Sequence, residues 1–283
     1  MDYWVTVVAK NAAQNISSTL TSLLGQTLRP TRIVIVNDGS SDGTDEILAK
    51  VCRENQIVQV LTLPDHGYDI RRVPANVNLA IASASELHAD YVMISGDDCV
   101  YPANYANSII QQMNGDVRIA VASGLPDERG MISREHSPSG SGRIIRTKFL
   151  ADVGSRFPVR AGWEAWLLFK AAQMGLETQV FSDLTYSHVR ARGSSHQFTY
   201  WGAAMFTLGY CPLYALGRIM RTFIKSYSLK PSLALLRGYL TAAIGSADPF
   251  IVPFDPSLRR FVSFQQKHRI GRIVASIFSR GIG

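Results

Sequence analysis

Residues 32–44 read RIVIVNDGSSDGT: a β-branched apolar run ends on Asn37 and Asp38, then two glycines, two serines and a second Asp fill one short turn. An unbroken apolar run of this length suits a strand covered on both faces. Gly39 and Gly43 admit tight backbone turns. Ser41, Asp42 and Thr44 are capping residues for a helix over SDGTDEILAKVCRE, 41–54. A buried strand ending on a carboxylate, with a turn leading into a helix, is the unit from which the rest is read.

The same unit recurs on either side. WVTVVAK (4–10) reads as a strand, and NISSTLTSLLGQ (15–26) as a helix with Ile16, Leu20, Leu23 and Leu24 on one face. VQVLTL (58–63) is a further strand, ANVNLAIASASE (75–86) a helix, and DYVMIS (90–95) a fourth strand that runs into Gly96, Asp97 and Asp98. Strand–helix alternation predicts right-handed crossovers and an α/β domain with a mainly parallel central sheet. Residues 115–160 are less regular, and SREHSPSGSGR (133–143) reads as a loop able to close over a ligand. Helical pattern returns in GWEAWLLFKAAQMG (162–175). From about residue 196 the chain becomes aromatic, basic and amphipathic, so the expected organisation is an α/β domain over 1–195 and a helical region over 196–283.

The 283 residues are 46% hydrophobic and 18% charged, with a formal net charge of +7, which favours anionic partners. Cys52, Cys99 and Cys211 show no metal-type spacing, and an odd count does not suggest a disulfide framework, so a reducing compartment is expected. No signal peptide is visible at the N-terminus. The longest stretch without a charged residue, Gly193 to Gly217, holds Pro212 and several polar residues and is too polar for a membrane span. The segments FTYWGAAMFTLGYCPLYALGRIMRTFIKSYSLKP and RRFVSFQQKHRIGRIVASIFSR mix aliphatic, aromatic and basic residues, with Arg218, Arg221, Lys225 and Lys230 in the first. This composition suits helices lying in an anionic membrane interface. The expected location is cytoplasmic, peripheral on the inner face of the cell membrane.

In open parallel sheets, ligands bind beyond the carboxyl ends of the strands. Asp38 and Asp97 lie just past two such ends and are expected to face one crevice, where a carboxylate can accept hydrogen bonds from a base or ribose.

Three blocks in this order and spacing, VTVVAKNAAQNISSTLTSLLGQTLRPTRIVIVNDGSSDGT, DYVMISGDDCVYP and GWEAWLLFKAAQMG, resemble the inverting family 2 glycosyltransferases of the GT-A fold. The resemblance covers roughly residues 3–192. It implies an enzyme, of hexosyltransferase type, that binds a nucleotide-diphosphate sugar through Mn²⁺ or Mg²⁺. The sugar passes to an acceptor hydroxyl on a lipid-linked or cell-surface glycan, with no nucleic acid as partner.

The resemblance also implies roles. Ala9, Lys10 and Asn11 stand where the family's first strand meets base and ribose, and Asp38 where it binds the nucleoside. Arg71, Arg72 and Asn78 lie in a segment that approaches the nucleotide. Asp97 matches the last acidic residue of the metal-binding Asp-X-Asp motif, with Asp98 beside it, and His188 falls where a late histidine completes the metal site. Glu164 sits at the place of the catalytic base. Two positions depart from the pattern: Ala12 stands where the family usually has Glu, and Ser95 replaces the first carboxylate of Asp-X-Asp.

The chemistry asks for such residues. Expulsion of a diphosphate builds negative charge, which a hard cation held by carboxylate oxygen neutralises. Arg190 and Arg192 add fixed positive charge at the same phosphates. Inversion needs one carboxylate on the acceptor side, and Glu164, flanked by Trp163 and Trp166, suits it because apolar surface raises a carboxyl pKa and shapes an acceptor site. Two other classes compete. A sugar-nucleotide nucleotidyltransferase would carry a Gly-rich loop after the first strand, and AKNAAQN has none. A basic nucleic-acid-binding module fits the charge but lacks a binding motif.

Overall fold

The computed structural model describes residues 1–127, 137–190, 195–226 and 228–280, and it divides into two compact units. The first comprises Met1–Pro158 and Met174–Ala191, the second Val159–Gln173 and Arg192–Gly283. The sequence-based boundary near 195 lies close to the last division. Residues 159–173, however, group with the C-terminal helices.

The first unit is built on β1 (Tyr3–Ala9), α1 (Ile16–Leu24), β2 (Ile33–Asn37), α2 (Thr44–Glu54), β3 (Val58–Thr62), α3 (Val73–Ser83), β4 (Tyr91–Ser95), β5 (Cys99–Val100), α4 (Tyr105–Gly115), β6 (Ile119–Asp127), β7 (Arg143–Arg146) and α5 (Thr147–Asp152). Among the described residues eight strands, the last being β8 (Glu177–His188), form one sheet in the order β3-β2-β1-β4-β7-β6-β8-β5. Strands β3, β2, β1 and β4 are mutually parallel. They are also the four strands expected from the sequence, because β1, β2 and β4 are almost wholly buried apolar runs.

The chain passes outward from β1 to β3 on one side and then crosses to β4 on the other, so direction reverses between β1 and β4. The crevice of a doubly wound sheet opens at that reversal. Beyond β4 the sheet turns mixed: β7 runs antiparallel to both β4 and β6, β6 pairs parallel with β8, and β5 caps β8 antiparallel. The irregular stretch read over 115–160 thus contains two strands of the central sheet.

The core of this unit gathers Val5, Val7, Ile33, Ile35 and Met93 from the sheet with Ile16, Leu20 and Leu23 from α1 and Ile109 and Met113 from α4. A tyrosine cluster closes its right side. Tyr101 stacks 4.9 Å from Tyr105 and 5.1 Å from Tyr186. The Tyr105 hydroxyl donates to Gly142 O and the Tyr186 hydroxyl to Ser141 O. Buried Arg143 donates to Ser139 O and Pro138 O. Residues 137–143 of the supposed closing loop are therefore fastened to the core, while 128–136 lie outside the described residues.

The second unit is helical: α6 (Trp163–Gln173), α7 (Ser195–Thr207), α8 (Pro212–Ser226), α9 (Leu229–Ile244) and α10 (Pro256–Arg280). Helices α7 and α9 meet backbone to backbone. A Cβ on Gly202 would fall 2.1 Å from Leu235 O, and one on Gly238 would fall 1.9 Å from Thr199 O, so both positions require glycine. Helix α10 buries Leu258, Val262 and Gln266 at intervals of four, and Gln266 accepts the Cys211 N–H at 2.8 Å. Among the described residues no helix is long and apolar enough to cross a membrane.

Candidate functional site

Strand β1 ends between β2 and β4, and the loops that follow these three strands are laced together. The Asp38 N–H donates to Ala9 O. Asn11 adopts a left-handed conformation (φ 50°), which an Asn side chain tolerates. Its Oδ1 accepts the Ser41 N–H at 2.9 Å, and its own N–H donates to Ser40 Oγ at 2.9 Å. Ala12 N–H reaches Thr44 Oγ1, and Ala13 N–H reaches Asp42 Oδ2. Gly39 is left-handed as well (φ 68°), and a Cβ there would strike the Asp65 backbone at 2.5 Å. The glycine and hydroxyl residues of 38–44 therefore serve one end: they bring the β2 turn against the β1 turn and leave Asp38 between them.

Asp38 is buried, and Arg72 closes on it. Its Nε lies 3.1 Å from each carboxylate oxygen and its Nη2 2.9 Å from Oδ2. The Arg72 guanidinium also donates to the carbonyls of His66 and Gly67, and the Asp38 hydrogen bond raises its pKa. Lys10 extends the site to both sides: its Nζ donates to Gly39 O and Asp65, and its backbone N–H donates to Asp97 Oδ2 at 3.3 Å. Lys10 thereby ties the end of β2 to the end of β4 across β1.

Asp97 and Asp98 take different partners. Oδ1 of Asp97 meets Nη2 of Arg190 at 2.6 Å, whereas Asp98 faces His188, with Oδ1 3.4 Å from Nδ1, and has Arg190 Nε 3.9 Å away. Burial raises the Asp97 carboxyl, the charge of Asp98 adds to this, and Arg190 only partly offsets it. Burial also acts on Asp98, but there the hydrogen bond and charge of His188, with Arg190, prevail and lower it. The two adjacent carboxylates are thus shifted in opposite directions, a pattern common at functional sites and also in structural ion-pair networks.

The residues present fit a divalent cation. Asp98, Cys99 and His188 each offer one ligand atom, and these atoms lie within 4.8 Å of one another. Asp97, expected as the principal ligand, is outside that group and is engaged by Arg190 and Lys10. Spacing along the chain missed Cys99 because its neighbour His188 is far away in sequence. The two meet as a cross-strand pair in the β5–β8 ladder. An acidic pair followed by Cys, with a later His, was the only sequence signal available.

Other expected residues lie elsewhere or are engaged otherwise. Arg71 closes on Asp69, its Nη2 2.7 Å from Oδ2. The Asn78 amide holds the Phe157 backbone from both sides, accepting its N–H at 2.6 Å and donating to its carbonyl at 2.8 Å. It also lines a cavity of about 390 Å³ with Trp4 and Val92, which stand near the starts of β1 and β4 rather than at their ends. Arg192 lies outside the described residues.

In the second unit, Gly162 (φ 94°) precedes α6, and Glu164 falls in the first turn of that helix, partly buried. An acidic residue there is favoured by the helix dipole. Trp166 is buried, and Trp163 packs on the Ala161–Ala203–Ala242–Phe250 cluster. The two indoles thus pin the turn that carries Glu164.

The relatives of this chain include the poly-beta-1,6-N-acetyl-D-glucosamine synthase of Staphylococcus aureus, 25% identical over 123 residues; the match covers 44% of this chain and 28% of that protein. The chain thus spans less than a third of the length of such relatives. Among solved structures it is similar to S. aureus TarS in complex with UDP-GlcNAc, with TM-score 0.55 and 19% identity over 72% of this chain and 65% of the other. It is also similar to the mannosyltransferase PcManGT from Pyrobaculum calidifontis in complex with GDP-Man and Mn²⁺, with TM-score 0.59 and 18% identity over 86% and 76%. These likenesses place the fold with GT-A-like enzymes. The model of glycosyl transferase family 2 matches residues 4–173, the stretch that holds every strand-end residue described above up to Asp98 together with Glu164, and the chain belongs to that family.

Proposed function

We propose that this chain transfers a hexose-type sugar from a nucleoside-diphosphate donor to an acceptor hydroxyl, with inversion at the anomeric carbon. One observation carries the reading: Asp38, Lys10, Asp97, Asp98, His188 and Arg190 are linked around the ends of β1, β2 and β4, where a doubly wound sheet binds nucleotides.

Asp38, with Ala9, Lys10 and Asn11, is the nucleoside side of the site, and Arg72 holds its carboxylate until a base or ribose replaces that partner. Arg71, held by Asp69, adjoins this wall next to Arg72, whereas Asn78 holds the Phe157 backbone away from it. Asp98 and His188 would hold a divalent cation, expected from the family resemblance to be Mn²⁺ or Mg²⁺, and it would supply charge neutralisation for a departing diphosphate. Arg190 sits between Asp97 and Asp98, so its guanidinium is placed to move from carboxylate to phosphate oxygen, and Arg192 follows it in the chain. Glu164 is assigned the acceptor side, where it takes the hydroxyl proton, with Trp163 and buried Trp166 fixing the turn that carries it. Relatives named for N-acetylglucosamine and mannose transfer support a hexose-derived sugar, and the synthase among them supports a glycan acceptor.

The partner surface is assigned to an anionic membrane. Leu213, Leu216, Met220 and Ile224 of α8 and Leu229, Leu233, Leu240 and Ile244 of α9 are exposed at helical spacing. No Asp or Glu occurs between Asp183 and Asp248, while Arg218, Arg221, Lys230 and Arg237 do. Exposed apolar stripes flanked only by cations suit an interface of negative headgroups and acyl chains. This supports a peripheral location on the inner face of the cell membrane.

The test is a thermal-shift screen of UDP, GDP and dTDP with and without Mn²⁺. A ligand that binds only the native state raises Tm. One diphosphate should stabilise the protein, and more so with Mn²⁺. No response to any of them, beside a salt-sensitive response to DNA, would replace the enzyme with a nucleic-acid binder.

A further inference from the structure

Cys99 and His188 stand opposite each other in the antiparallel β5–β8 ladder, so their side chains leave the same face, and Asp98 precedes Cys99 by one residue. Three atoms meet there: Asp98 Oδ1, Cys99 Sγ and His188 Nδ1. The edges of the triangle are 3.4 Å (O to N), 3.4 Å (S to N) and 3.6 Å (S to O). All three edges lie within hydrogen-bond reach, the O to N one at its long end.

Ligands about 2.0–2.3 Å from a tetrahedral ion lie about 3.3–3.6 Å apart, which is the triangle observed. Oxygen and nitrogen neighbours around an octahedral hard cation at about 2.1 Å lie closer, near 3.0 Å. Gly96 lets the backbone pass close to two of the three atoms. A Cβ on Gly96 would come within 3.0 Å of Asp98 Oδ1 and 3.1 Å of Cys99 Sγ.

We propose that Cys99 is a protein ligand of the cation site, and that Asp98, Cys99 and His188 together select a thiophilic, four-coordinate ion of the Zn²⁺ and Co²⁺ class. The proposal rests on the reading that a cation binds beside Asp98 and His188, and it changes the expected ion. Softer sulfur and imidazole donors favour such metals over Mg²⁺. Three protein ligands leave the fourth position for water or a phosphate oxygen, as in open rather than structural sites. Without an ion, burial and the charge of Asp98 push the Cys99 thiol up to about 12, so it rests as a neutral core residue. On coordination the S–H proton leaves to the buffer as the S–metal bond forms, with no change of oxidation state.

The experiment uses the full chain, stripped with chelator and titrated with Co²⁺ alone. The wild-type protein should develop a sulfur-to-cobalt charge-transfer band in the near ultraviolet that saturates at one equivalent and bleaches when Zn²⁺ is added. Cys99→Ser, and Cys99→Ala as a second variant, should lose the band and bind Zn²⁺ at least about 10- to 100-fold more weakly, the loss typical of merely disturbing a ligand's surroundings. Far-ultraviolet circular dichroism checks that each variant is folded, and Cys52→Ser should keep the band. Cobalt binding that depends on His188 but shows no sulfur band overturns the role of Cys99 and leaves the proposed transferase intact. A band that survives Cys99→Ser overturns it equally. Absence of any cobalt binding overturns the cation site itself.

Discussion

Nη2 of Arg190 lies 2.6 Å from Oδ1 of Asp97, while its Nε is 3.9 Å from Asp98. One cation from the loop after β8 thus sits over two carboxylates from the loop after β4. Arg190 is 43% exposed, so its pairing adds at most about 1 kcal/mol to the fold. Arg190→Ala should therefore leave thermal stability nearly unchanged and lower kcat/KM for the nucleotide sugar about 10- to 100-fold, about 1.4–2.7 kcal/mol of transition-state binding. Steady-state kinetics decide it, and an unchanged constant would remove Arg190 from the phosphate site.

Glu164 occupies the first turn of a helix whose tryptophans are packed within its own unit, and its charge there adds about 0.3–1 kcal/mol to that turn. Glu164→Gln keeps the shape and removes the base. Transfer should fall about 10²- to 10⁴-fold while the thermal shift given by nucleotide persists. Near-normal turnover in the variant excludes this carboxylate from proton removal.

The Asp38–Arg72 pair tests the nucleoside wall. Arg72→Ala leaves a buried carboxylate without its guanidinium and frees the carbonyls of His66 and Gly67. A loss of about 2–3 kcal/mol in urea unfolding is expected, discounted for the partial exposure of Arg72. Arg72→Lys should recover little of it, because an ammonium does not span both oxygens.

Asp42 links the two turns through the Thr44 hydroxyl and N–H and the Ala13 N–H. Burial opposes ionisation slightly, but these hydrogen bonds prevail and hold its carboxyl below the usual value. A depressed acid contributes stability above its ordinary pKa and loses it as pH falls through the lowered one. Discounted for its exposure, Asp42→Asn should thus cost up to about 0.5 kcal/mol at neutral pH and progressively less in acid below pH 4. Paired melts across pH 2 to 7 measure the difference.

Membrane attachment is best tested on α8, since cutting the chain after Leu258 would remove the buried Val262 and Gln266 and disturb the unit itself. Leu216→Asp and Met220→Asp change exposed residues only. Together they should weaken binding to phosphatidylserine vesicles by about tenfold or more, the effect of losing about 1.4 kcal/mol or more of apolar burial. Sedimentation with vesicles checks this, and undiminished binding would place the contact elsewhere.

Local pattern made much of this legible. The apolar runs of β1, β2 and β4, the helix periodicity of 15–26 and 41–54, and the Gly, Ser and Asp of 38–44 all act over a few residues, where steric limits and capping set the outcome. Strands β6 and β7 were less visible. Arg143–Arg146 is only four residues, two of them arginine, and it earns its place by pairing with β4 and β6 from far away in the chain.

The amino-acid order alone determined the parallel half of the sheet, the acidic ends of β2 and β4 that bracket its reversal point, and the family those ends belong to. Tertiary structure decided the partners: Cys99 beside His188, Arg190 on Asp97, Arg72 on Asp38 and Asn78 on the Phe157 backbone. Each of these contacts joins residues 34 or more positions apart. Their meeting depends on strand register and on which buried charges must be neutralised, and neither quantity has a period that a short window of sequence can display.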